Sequence, residues 1–119
     1  MIIRTFQISA LAFLVGVVAL GGPSTAEETA YEDERFTAAV RDFGYAGGAA
    51  WQCAEAEARS NIERQAMVSY NGLARLFGTD EAFFFSSAFG AGTSAPIDKS
   101  ECAEFSKQFQ AGMSKAGVE

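Results

Sequence analysis

Histidine is absent from this chain of 119 residues, cysteine and proline each occur twice, and the 9 Lys+Arg are outnumbered by 15 Asp+Glu. Without histidine there is no Ser-His-Asp triad, no Cys-His nucleophile pair and no His-ligated zinc or haem. The shortage of positive charge leaves a net −6, which argues against nucleic acid or an anionic membrane surface as the partner. Alternation with a period of two residues is missing over any length, and there are no internal repeats, so half-buried strands and repeat arrays are excluded. The length admits one small domain.

What is present begins with an address. Met1-Ile2-Ile3-Arg4 supplies one positive charge, and Ile8 to Leu20 reads ISALAFLVGVVAL with Ser9 its only polar residue. Gly21-Gly22-Pro23 follows, then small residues at Ser24-Thr25-Ala26. A charged start, a short apolar centre and an A-x-A-like end are the layout of a secretory signal peptide. The apolar run falls short of the roughly 20 residues a membrane-spanning helix needs. Cleavage after Ala26 is therefore expected, leaving residues 27–119 as a single helical domain with 27–29 disordered. Only Arg4 is lost among the charges, so the net charge becomes −7. The expected location is the periplasm or the exterior, with no stable membrane insertion after cleavage.

An exported chain meets an oxidising compartment, and its only two thiols are Cys53 and Cys102. One disulfide between them is the simplest expectation. Redox chemistry would call for a C-x-x-C pair or a basic neighbour lowering a thiol pKa, and neither cysteine has one.

The remainder reads as helices separated by glycine. Thr29-Ala30-Tyr31-Glu32 fits a capping box, and Phe36, Ala39, Val40 and Phe43 recur at helical spacing. This predicts a helix over 30–43, ended by Gly44, with Gly47-Gly48 in a loop. Trp51, Ala54, Ala58, Ile62, Ala66, Tyr70, Leu73 and Phe77 advance by three and four along one face. A second capping box at Ser60-Asn61-Ile62-Glu63 predicts a break near Ser60, hence segments 49–59 and 61–77. Gly78 closes this region and Thr79-Asp80 starts a Phe-rich helix. Gly90 to Pro96 is expected as a loop, and Asp98 as the cap of a last helix bearing Cys102, Phe105, Phe109 and Met113 on one stripe. The class is all-α, a small bundle of four to five helices stapled by one disulfide.

Few constellations carry chemistry. Gly90-Ala91-Gly92-Thr93-Ser94-Ala95 matches G-x-G-x-x-A in letters but lacks the preceding strand that a dinucleotide site requires. Ser86, Ser87 and Ser94 have no G-x-S-x-G context and no base. Glu27, Glu28, Glu32, Asp33 and Glu34 lack the calcium-loop spacing and read as a solvated end. Glu55 lies on an apolar stripe four residues before Arg59, which predicts an i,i+4 ion pair. A buried and perturbed Glu55 would instead be an acid-base candidate. Most unusual is Phe83-Phe84-Phe85 with Phe89. Three consecutive residues on a helix cover about 200° of its circumference at roughly 100° each, so either the helix is surrounded or some rings are exposed. Phe83, Phe84, Phe85 and Phe89 are the candidate interaction surface.

Because histidine is missing, almost nothing titrates between pH 5 and 8. Near pH 4 ordinary carboxylates protonate together, which carries the mature charge from −7 toward about +8 and loosens the fold. Trp51-Gln52-Cys53, followed by Cys102 after a long helical stretch, resembles the HdeA-type periplasmic acid-stress chaperones, which are small exported helical proteins with one disulfide. The likeness covers the signal peptide, Trp51, Cys53, Cys102 and size; the lysine-rich C-terminal region common in that family is represented here only by Lys107 and Lys115. It implies a protein that acid loosens, exposing apolar surface that holds unfolding clients. The reading is of a non-catalytic binding protein without metal or cofactor. Its expected partner is a protein client, or a small apolar ligand carried between helices, and a homodimer is a further option.

Overall fold

The computed structural model describes residues 24–115, with side chains from residue 32 onward. Four α-helices follow one another: α1 (Ser24–Cys53), α2 (Ala56–Phe77), α3 (Thr79–Ser94) and α4 (Cys102–Lys115). A 3-10 turn at Lys99–Glu101 leads into α4, and there is no strand among the described residues. The protein is all-α, and Cys53 and Cys102 are joined, with Cα atoms 5.8 Å apart. Most of the expected signal peptide, residues 1–23, lies outside the described residues. The chain divides into two units after Arg35. In the first, the described backbone is helical from Ser24, and Glu32, Asp33 and Glu34 are exposed. The second, Phe36–Glu119, holds the core.

That core gathers Val40 and Ala46 from α1, Leu73 from α2, Ala82 and Phe85 from α3, and Phe109 and Met113 from α4. Side-chain pairs fix the directions. Thr37 meets Glu81 and Gln52 meets Gly92 and Ala95, so α1 and α3 run parallel. Phe36 meets Phe77 and Trp51 meets Glu63, so α2 runs against α1. Phe43 stacks on Phe109 and Tyr45 lies edge-on to Phe105, so α4 also runs against α1. Between α2 and α3 the chain turns at Gly78, whose φ of 103° is a conformation that side chains disfavour.

Four boundaries differ from the sequence expectation, and close packing of glycine accounts for those inside α1. Gly44 does not end a helix, and Gly47-Gly48 is no loop, because α1 continues through all three to Cys53. Helical glycine costs up to about 1 kcal/mol relative to alanine, and close packing offsets it here. A Cβ at Gly44 would overlap the Phe85 carbonyl oxygen, and one at Gly48 would overlap the Phe89 carbonyl oxygen. Gly92 of α3 faces this crossing from the other side, against the Tyr45 carbonyl oxygen. Gly90 to Ser94 is likewise helical rather than a loop, with Gly92 its closely packed glycine, and the loop begins only at Ala95. The helix start expected at Thr29–Glu32 is internal to α1, and the break expected near Ser60 falls instead at Ala54-Glu55.

The other boundaries agree with the sequence. Asp98 caps the last helical segment, its side chain accepting from the Ser100 amide at 3.0 Å. Phe109 and Met113 are buried as the stripe on α4 required, and Phe105 packs against them.

Candidate interaction surface

The end of α1 is tied to three elements by three consecutive residues. Trp51 Nε1 donates to Glu63 Oε2 on α2 at 2.8 Å. Gln52 Nε2 donates to the carbonyls of Gly92 and Ala95 at 2.8 and 2.6 Å, satisfying acceptors that the C-terminus of α3 leaves open. Cys53 is bonded to Cys102 at the start of α4. Arg59 serves this junction rather than pairing with Glu55. Its Nε donates to the Trp51 carbonyl at 2.9 Å, its Nη2 to the Gln52 carbonyl at 3.2 Å, and its guanidinium lies 4.1 Å from the Trp51 ring centroid. The break at Ala54-Glu55 brings Arg59 back over the end of α1, where a cation complements the free carbonyls. Glu55 is exposed, which removes the buried acid-base role. The W-x-C segment thus has a structural use that sequence reasoning attached only to its cysteine.

The four phenylalanines of the Phe-rich helix have separate fates. Phe85 is 1% exposed and stands in the core, packed against Phe43 at 4.9 Å between centroids. Phe89 is half-buried, near Phe85. Phe84 is half-buried beneath the guanidinium of Arg41, 4.5 Å from its ring centroid. Phe83 alone points outward, 60% exposed. Ser86 and Ser94 donate back to carbonyls of their own helix, those of Phe83 and Gly90. Among the described residues no group of three or more His, Cys, Asp or Glu is placed to hold a metal ion, and no helix is long and apolar enough to cross a membrane.

A large concavity lies elsewhere. α2 and α4 flank α1 without meeting at the end where both have their C-termini, and an open groove of about 860 Å³ is left between them. Phe36, Val40 and Phe43 line it from α1, and Leu73, Leu76 and Phe77 from α2. Leu76 and Phe77 are 61% and 54% exposed, unusual for large apolar side chains side by side on a small monomer. Its polar groups are few: Asp42 and Tyr45 from α1, Gln108 and Lys115 from α4. Gln108 is engaged with Glu104 at 3.4 Å. A smaller recess of about 290 Å³ separates α2 from α3 beside Met67 and Tyr70.

Sequence reasoning missed this groove because it placed Phe36 and Phe77 on core stripes. The available signal was Leu76-Phe77, two adjacent large apolar residues immediately before Gly78, of which the three-and-four stripe took up only Phe77. Such a site offers apolar contact bordered by a few polar groups. Comparisons with protein-family models, with curated proteins and with solved structures return no match.

Proposed function

We propose that this chain is a small exported, non-catalytic binding protein that engages its partner through phenylalanine-rich apolar surface. The observation that carries the reading is the open groove with Phe36, Leu76 and Phe77 at its rim. Apolar surface of this kind marks an interaction site when the chain around it is otherwise polar. Phe83, exposed on α3, adds a second apolar contact point.

The sharper version is an acid-activated holdase. It draws support from the likeness of Trp51, Cys53 and Cys102 to the HdeA-type chaperones, and from two hydrogen bonds that depend on carboxylates. Glu81 accepts from Thr37 at 2.7 Å, linking α3 to α1, and Glu63 accepts from Trp51, linking α2 to α1. Protonation in acid weakens both charge-assisted bonds, while the disulfide keeps α4 tethered. Light scattering of an acid-labile client at pH 2–3, with and without the protein, tests it. Suppressed aggregation is expected, and no suppression at several-fold molar excess overturns it.

The groove volume favours a second reading, a carrier of small apolar ligands, since such sites span about 300–1,000 Å³. Native mass spectrometry of material purified from its own host should then show a retained mass. Uniformly ligand-free protein would remove this reading.

A further inference from the structure

The groove contains two charges of opposite sign, and neither is paired. Asp42 lines it from α1 and Lys115 from α4, and neither has an ion pair, hydrogen bond or ring contact with another described residue. Their separation exceeds ion-pair distance, so each leaves an open site at the edge of a mainly apolar surface whose other polar groups are Tyr45 and Gln108. An acyl chain alone would leave both charges unused. A carboxylate head would gain Lys115 but face Asp42, and an ammonium head would do the reverse. A head carrying both a cation and an anion gains from each side chain and is repelled by neither.

We propose that the groove binds a single-chain amphiphile with a zwitterionic head, its chain along Phe43, Leu73 and Phe77, its cationic group at Asp42 and its anionic group at Lys115. The inference rests on the groove being a binding site, and it adds the chemical class of ligand. Both side chains are exposed, so each charge contact is worth about 0.2–1 kcal/mol, a factor of roughly 1.4–5 in affinity. The apolar contact supplies most of the binding and the charges supply the selectivity.

Four probes with one dodecyl chain and different heads separate these contributions: dodecylphosphocholine, dodecanoate, dodecyltrimethylammonium and the non-ionic dodecyl maltoside. Each is titrated below its micelle threshold against Nile red bound to the full protein at pH 7. The zwitterion is expected to displace the dye at the lowest concentration. Asp42→Asn should weaken the zwitterion about two- to fivefold and strengthen dodecanoate, whereas Lys115→Met should weaken the zwitterion similarly and strengthen the ammonium probe. Leu76→Gln, at a position already mostly exposed, should weaken all four without loss of helical circular dichroism.

Equal affinity for all four heads would overturn the zwitterion assignment while leaving the groove as an apolar site. Displacement unaffected by Leu76→Gln would overturn the groove itself as the site, and the inference with it. Tighter binding of either singly charged head than of the zwitterion by the unaltered protein would also overturn the assignment.

Discussion

A glycine inside a helix has opposite values at two positions of this chain. At Gly48 an added Cβ would strike the Phe89 carbonyl and approach Gly92 Cα at 2.8 Å, both backbone atoms that cannot rotate away. At Gly90, one residue beyond Phe89, nothing lies within 4 Å of the same added atom. Gly90→Ala should therefore stabilise by about 0.5–1 kcal/mol, the ordinary gain of replacing a helical glycine. Gly48→Ala should destabilise by about 1–3 kcal/mol through overpacking. Urea denaturation of the two variants checks the pair, and a gain of stability at Gly48 would contradict the crossing described here.

Gly112, against the Phe43 ring, is intermediate in kind, because a ring can shift and a carbonyl on a helix cannot. These distinctions are invisible in sequence. Gly44, Gly47 and Gly48 carry the same letters as a helix stop or a loop, and only the partner helix decides. Phe109 and Met113 were legible because burial of an apolar stripe depends on spacing along one helix alone.

Among the elements, the junction of α1 with α2 depends on Arg59. An i,i+4 rule looks only along one helix, so it paired Arg59 with Glu55; the break at Ala54-Glu55 instead offers it the carbonyls of Trp51 and Gln52. Arg59→Gln removes two hydrogen bonds and a cation–π contact with an expected loss of about 1–2 kcal/mol. Thermal melts followed by circular dichroism check this, and Glu55→Gln should be nearly silent in them. At the start of the last helical segment, hydrogen bonds from the Ser100 amide and then its hydroxyl hold the Asp98 carboxyl below its ordinary value. A depressed carboxylate adds stability that is present above the ordinary aspartate range and disappears as pH falls through the lowered value. Asp98→Asn should accordingly flatten the acid limb of the stability–pH curve, by a small amount because the group is exposed.

For the molecule as a whole, the disulfide closes a loop of 49 residues and contributes about 4 kcal/mol by the chain-entropy estimate. That is a large part of the roughly 5–15 kcal/mol typical of folded domains. Reduction, or Cys53→Ala with Cys102→Ala, should lower the urea midpoint steeply, and an unchanged midpoint would show that packing of α4 suffices. The pairing itself was legible from two cysteines in an exported reading. The groove was not, because it arises where α2 and α4 fail to meet, a property of helix placement.

The crossing of α1 over α3 has a further consequence for sequence variation. A side-chain clash in a core can be relieved by a smaller neighbour, so second-site suppressors arise beside it. At Gly48 the obstructing group is the Phe89 carbonyl oxygen, which every residue type presents identically. No substitution at position 89 can make room. A genetic selection starting from Gly48→Ala should return true revertants and remote stabilisers such as Gly90→Ala, but no compensating exchange at Phe89. Over evolutionary time, that patch of the chain can drift only by keeping the small residue in place.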